Sequence, residues 1–174
     1  MTAEKLNTAE IFLFLDKISF GFLQLLSAAD EGKINTIPFK DSWTAAQLAS
    51  HIIKSNKAIA QALHMEGKDA ERDPAKRVDE LKGMFLDYTR KFQSPEFTTP
   101  KQGIYQKKPL VADLVASADE LKALRNKVKL SEMISLPSFG EITKLELIYF
   151  VQYHTQRHLH QLKNILHVAE KIRL

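Results

Sequence analysis

The chain contains no cysteine, which excludes disulfides, thiolate metal sites and a cysteine nucleophile. A chain without thiols is tolerated in any redox compartment, so this absence says nothing about location. Long hydrophobic runs are missing as well. The longest unbroken apolar stretch, Ile11 to Leu15, is too short to cross a bilayer. The opening Met1-Thr2-Ala3-Glu4-Lys5 carries acid early and lacks a signal-peptide pattern. A cytoplasmic protein without a membrane partner is the expectation. Charge of one sign is also scarce. The net charge of +4 is spread over 25 basic and 21 acidic residues, mixed as in Lys76-Arg77-Val78-Asp79-Glu80. No stretch interleaves aromatics with arginine as single-strand binders require, so nucleic acid is not expected as a partner.

What is present is an ordinary globular composition, 44% hydrophobic and 26% charged over 174 residues, which reads as one domain spanning 1–174. Apolar residues recur at helical spacing. Ile11, Leu15, Ile18, Phe22 and Leu25, widened by Phe12, Phe14 and Leu26, predict a first helix from about Ala3 to Ala29, stopped near Gly32. Thr44 and Gln47 form a capping box, with Trp43 and Leu48 as a hydrophobic staple, and open a second helix from Ala45 to about Met65. Its inward face reads Leu48, His51, Ile52, Ser55, Ile59 and Leu63. Val78, Leu81, Phe85 and Tyr88 predict a third helix over roughly Ala75 to Phe92, followed by a long loop from Ser94 to Lys108. Pro109 opens a helix to about Lys129, or Ser117 and Glu120 cap a shorter one. Leu130 to Gly140 reads as a connection. Thr143 and Glu146 form a second capping box for a last helix ending near Lys171. No strand pattern and no repeat emerge. The fold expectation is all-α, a four-helix bundle with an additional shorter helix.

The last helix carries an inward stripe of Leu147, Val151, His154, His158, Gln161, Ile165 and Val168. Aliphatics open and close it, but its middle is polar. A buried imidazole without a partner is costly, and two of them in mid-seam call for an explanation. His154 and His158 lie one turn apart, about 6 Å of rise, so both rings reach one ion. His51, on the apolar face of another helix, supplies a third nitrogen. Three neutral imidazoles leave a coordination position open for water or substrate, the catalytic rather than the structural arrangement. Histidine-only ligation suits zinc or nickel, with iron, manganese and copper also accommodated. The plainer reading is that core histidines simply hydrogen-bond to backbone. Gln161 is a candidate outer partner of His158, or else a buried amide linking helices. Asn56 and Gln152 are candidate pocket residues. His64, His160 and His167 fall off the inward stripes and read as surface residues.

Trp43-Thr44-Ala45-Ala46-Gln47-Leu48-Ala49-Ser50-His51 resembles the second-helix signature of the DinB/YfiT-like superfamily. His154-Thr155-Gln156-Arg157-His158-Leu159-His160-Gln161 resembles its terminal-helix motif. The order and separation of the two motifs fit as well, over nearly the whole chain. The resemblance implies a four-helix bundle with a divalent metal held by three histidines, matched here by His51, His154 and His158. It also implies a small-molecule substrate. Members with known activity are thiol-dependent transferases and isomerases using low-molecular-weight thiols, others are described as metal-dependent hydrolases, and dimers are common. Two positions depart from the pattern: Thr155 stands where many relatives carry glutamate, and His160 where many carry glycine. With Thr155 there is no HExxH general base, so zincin-type proteolysis is not expected. A non-catalytic metal-binding or interaction bundle stays open beside the enzyme reading.

Overall fold

The computed structural model describes residues 8–172. Four long helices form the bundle: α1 (Thr8–Ala28), α3 (Ala45–His64), α5 (Lys107–Ala123) and α6 (Lys144–Lys171). α1 packs on α5 and α6, and α3 on the same two neighbours. Residues 3–7 of the expected first helix lie outside the described residues. Within α1 the expected face is buried at Ile11, Leu15, Ile18 and Phe22, with Phe12 and Leu26 beside them. Phe14 does not join it. With Leu13 (68% exposed) and Phe20 (58% exposed) it lies on the outer side. Over Ala9–Ala28, α1 is long and apolar enough, by length and composition, to cross a membrane. A five-residue apolar run understates that property, because Asp16 and Lys17 interrupt the run but not the helix. Here α1 serves as a bundle helix.

Gly32 is not the stop it was expected to be. It lies inside a four-residue helix, α2 (Glu31–Ile34), which follows Asp30 and buries Ile34 completely. Burial of that one isoleucine brings the chain back into the core before the Pro38 connection. The capping boxes at Thr44/Gln47 and Thr143/Glu146 both form, and α3 and α6 begin where they dictate.

The expectation that no strand exists is overturned. β1 (Lys68–Asp69), β2 (Glu132–Leu136) and β3 (Gly140–Thr143) form an antiparallel sheet in that order. Ile134 pairs with Ile142, both buried against the bundle end, and Leu136 pairs with Gly140 across the Pro137 turn. Gly140 has φ +66°, a left-handed value that suits glycine at the turn. Pro137 and Gly140 thus mark a hairpin rather than a coil connection. Gly67 passes close to β2: a Cβ there would meet Glu132 Cβ and the Met133 carbonyl at 2.9 Å. Gly67→Ala is expected to lower stability by about 1–3 kcal/mol, read as a shifted urea midpoint with an unchanged slope.

The third expected helix is shorter than its stripe. α4 spans Val78–Phe85. Ahead of it Asp73 accepts from the Ala75 amide at 2.9 Å, and behind it Asp87 accepts from the Thr89 amide at 3.1 Å. The Asp87 carboxylate takes an amide that a continuing helix would need. α5 starts at Lys107, with Pro109 in its first turn, and ends at Ala123 rather than Lys129. The shorter alternative start fails because Ser117 is fully buried in mid-helix, its hydroxyl donating to the Leu114 carbonyl at 2.9 Å.

Glu146 ties these pieces to α6. Its fully buried carboxylate accepts both Arg72 guanidinium nitrogens (2.7 and 2.8 Å), the Arg77 amide (2.8 Å) and the Thr143 amide (3.0 Å). The core itself divides in two. One apolar cluster holds Leu63, Leu121, Ile142 and Leu147, and the other holds Phe22, Leu48, Leu110 and Leu162. Around mid-bundle the buried residues turn polar: His51, Ser55, Asn56, Ser117, His154, Thr155 and His158.

Candidate metal centre

His51 projects from α3 two turns beyond its capped start, and His154 and His158 project from the middle of α6. All three are nearly buried, at 3%, 8% and 9% exposure. His154 Nε2 lies 3.1 Å from His51 Nε2 and 3.1 Å from His158 Nε2. The Nδ1 atoms of His51 and His158 are engaged elsewhere. His51 Nδ1 donates to the Thr98 carbonyl at 3.0 Å, and His158 Nδ1 donates to Gln161 Oε1 at 2.8 Å. These bonds place the hydrogens on Nδ1 and leave both Nε2 lone pairs bare, aimed at His154. His154 has at most one Nε2 hydrogen to offer, so it cannot satisfy both.

A cation resolves that conflict. Zinc–nitrogen bonds of about 2.0–2.1 Å at tetrahedral angles put nitrogens about 3.3 Å apart, close to the contacts found. No carboxylate belongs to the cluster among the described residues. The electrostatics agree with ligand chemistry. Burial holds His154 well below its ordinary pKa, aided by His158, His51 and Arg157. Burial pushes His158 down to about 3, with His51 and Arg157 acting in the same sense and the Gln161 bond opposing. Burial also lowers His51, partly offset by its bond to Thr98. Neutral, unprotonated imidazoles are the form that ligates.

Around the histidines lie aromatic rings. Trp43 packs on His51 with ring centres 5.1 Å apart, and Phe150 stacks on His154 at 5.0 Å. Phe85 stands edge-on to His154 at 6.1 Å and stacks on Phe92 at 5.3 Å. The expected long loop forms one wall, with a 3₁₀ turn at Glu96–Thr98. Lys54 fastens it to α3 through the Thr99 carbonyl at 2.5 Å. Arg157, between the two α6 histidines, donates to the carbonyls of Phe85, Asp87 and Arg90 and lies 4.9 Å over Phe92. The sequence reading missed Thr98, Trp43 as a wall, Phe85 and Arg157. Only Arg157 carried a hint, a charge on a helix between two inward histidines.

Two candidate pocket residues belong elsewhere. Gln152 is buried and donates to the Ile11 carbonyl on α1. Asn56 donates to Ser117 Oγ on α5 at 3.2 Å and lines a groove between α1 and α5. His64, His160 and His167 are exposed, and His160 stacks on Tyr88 at 4.2 Å.

Comparison with known sequences decides the family. The DinB superfamily model matches residues 21–162, a span containing all three histidines and Gln161. The chain belongs to the DinB superfamily. Uncharacterized protein YuaE of Bacillus subtilis (strain 168) is 25% identical over 152 residues, covering 85% of this chain and 91% of its own length. Two solved structures share the fold. TT2238, described as a four-helix bundle protein, aligns with a TM-score of 0.58 over 90% of this chain and 98% of its own, at 19% identity. A conserved protein of a locus from Enterococcus faecalis aligns with a TM-score of 0.67 over 97% and 99%, also at 19% identity. At that identity the likeness concerns fold alone. The expected DinB membership is thereby borne out.

Proposed function

We propose that this DinB-superfamily protein is a divalent-metal-dependent enzyme acting on a small molecule, of the thiol S-transferase type. One observation carries the reading: three neutral imidazoles whose Nε2 atoms converge within hydrogen-bond distance of His154, two of them with no hydrogen to share. His51, His154 and His158 would hold the ion, zinc or nickel by ligand type. Such an ion supplies Lewis acidity that lowers the pKa of a coordinated thiol or water. The chain's own residues orient the imidazoles, through Thr98 and Gln161, and keep the surroundings apolar through Trp43, Phe85 and Phe150.

Thiol activation is favoured over water activation because no carboxylate joins the cluster among the described residues and Thr155 lines the α1–α5 groove. A thiol coordinated to a metal is deprotonated outright, whereas metal-bound water ionises only near neutral pH and gains from a nearby group that takes its proton. The reading carries a cytoplasmic location, where small thiols are kept reduced, and assembly as a homodimer.

The test is metal content by elemental mass spectrometry on untagged protein, followed by conjugation of 1-chloro-2,4-dinitrobenzene with a panel of low-molecular-weight thiols. Metal-dependent conjugation is expected. Turnover of an activated ester alone would transfer the reading to a hydrolase, and bound metal with neither activity would leave a non-catalytic metal-binding bundle. Gln161→Leu is expected to weaken metal binding about ten-fold by freeing the His158 ring, as measured by competition with a chromophoric chelator.

A further inference from the structure

On the side of the bundle where α1 and α5 meet, a groove of about 590 Å³ runs inward to the polar mid-section of the core. Its walls include Phe20, Leu114 and Ala118, with the charged Asp16, Lys17, Asp119 and Lys122 also lining it, and Ile52, Asn56 and Thr155 stand at its inner end. Ile52 follows His51 and Thr155 follows His154, so the groove and the histidine cluster use neighbouring faces, about 100° apart, of the same two helix segments. Asn56 is 5% exposed and Thr155 is 2% exposed. The Asn56 amide nitrogen donates to Ser117 Oγ, whose own hydrogen goes to the Leu114 carbonyl. That relay fixes the amide and leaves Oδ1 as its free acceptor. Among the described residues no hydrogen bond engages Asn56 Oδ1 or the Thr155 hydroxyl. Neither atom is sealed in the core, since every fully buried side-chain nitrogen and oxygen among the described residues is hydrogen-bonded; both therefore open onto the groove, where water or a ligand can complete them.

We propose that the groove is a second binding site, separate from the histidine cluster, for a neutral and mainly apolar molecule with one hydroxyl end, an aryl alcohol or medium-chain alkanol. The volume falls in the range of small-molecule pockets. A hydroxyl both donates and accepts, which matches an amide oxygen beside a hydroxyl. A charged end group does not fit, because neither Asn56 nor Thr155 is charged and an ion buried there lacks a counter-charge. Lys122, at the rim, is 56% exposed and already pairs with Asp16 at 3.1 Å, linking α5 to α1 across the groove.

The experiment titrates full-length protein with 2-naphthol, followed by its fluorescence, and with naphthalene as the hydroxyl-free control. Both titrations are run with and without chelator, so that coordination to a metal is not mistaken for groove binding. Saturable 2-naphthol binding is expected in both conditions, with naphthalene about ten-fold weaker. Thr155→Val is expected to weaken 2-naphthol about ten-fold and leave naphthalene unchanged. Ala118→Phe, which fills the groove from a half-buried helix flank, is expected to weaken both. No saturable binding by the wild type, equal affinity for the two probes, or loss of binding with chelator each overturns the proposal. These outcomes need no variant to fold, and they are independent of whether the histidines hold a metal.

Discussion

His154→Ala is expected to abolish stoichiometric metal binding and the thermal stabilisation that accompanies it. His154 is the centre of the cluster, since the Nε2 atoms of His51 and His158 both lie 3.1 Å from its own Nε2. Its removal leaves two nitrogens on separate helices with nothing between them. Loss of outer hydrogen-bond partners typically weakens metal sites by about ten- to a hundred-fold, and loss of the central ligand exceeds that. For the wild type, zinc at about a thousand times its dissociation constant adds about 4 kcal/mol of stability. In a chain of this size that corresponds to a rise in Tm of about 8–16 °C. The variant should show no rise. It should still fold, because removing the ring costs its stacking on Phe150, about 1 kcal/mol, together with a modest cavity. Calorimetric scans with and without zinc, beside elemental analysis, decide the matter. Equal metal content in wild type and variant would overturn the three-histidine site.

Arg72→Met is expected to destabilise the fold by about 3 kcal/mol at neutral pH, and the deficit should shrink as the pH falls. Breaking a buried pair by removing one partner leaves an uncompensated charge, which generally costs about 3–5 kcal/mol. The lower end applies because the Arg72 side chain is 23% exposed whereas Glu146 is fully buried. Burial by itself raises the Glu146 pKa, but the Arg72 hydrogen bond and the amides of Thr143 and Arg77 outweigh it and hold the carboxyl below its ordinary range. A depressed folded-state pKa means that the unfolded chain binds the proton first on acidification. The stabilisation from this group is therefore complete above about pH 4.3, the unfolded value, and is lost as the pH drops toward the folded one. Without Arg72, burial dominates and the folded pKa moves up. Acid then neutralises the stranded carboxylate and relieves the penalty. Urea unfolding of wild type and variant at several pH values from 7 to 4 measures the gap. A gap that stays constant across that range would mean that Arg72 acts through packing alone. The double variant Arg72→Met/Glu146→Gln should recover part of the loss, since neither partner is then left charged.

How much of this was legible in the residue order varies by element. Both capping boxes act within four residues, so α3 and α6 could be started correctly without any knowledge of neighbours. The inward stripe of α6 was equally visible, because helical spacing alone puts His154 and His158 on one face with Leu147 and Val151. His51 on a second capped helix completed the candidate set. The sheet was not visible. Its strands are two to five residues long, and β1 is an exposed Lys-Asp pair whose only signature is its partner, Glu132-Met133. Strand pairing over that sequence distance leaves no local pattern. The C-terminal end of α4 was misjudged for a related reason. Periodicity continued past it to Tyr88, but Asp87 and the Arg157 guanidinium took over backbone groups that a longer helix required.

The direction of a polar side chain on a broad helix face was likewise beyond the sequence. Asn56 and Gln152 stand on inward faces, yet each has two neighbouring helices to choose from, and α5 and α1 took them. By itself, then, the sequence determined the helical class, the two capped helix starts and the three histidines at helical spacing, because these rest on interactions within one or two turns of chain. Only the tertiary structure decided that Thr98 sets the His51 ring tautomer, that Arg157 clasps the wall beside the cluster, and that a second groove opens between α1 and α5. Those features join residues tens of positions apart, and their energies depend on which surfaces meet when the bundle closes.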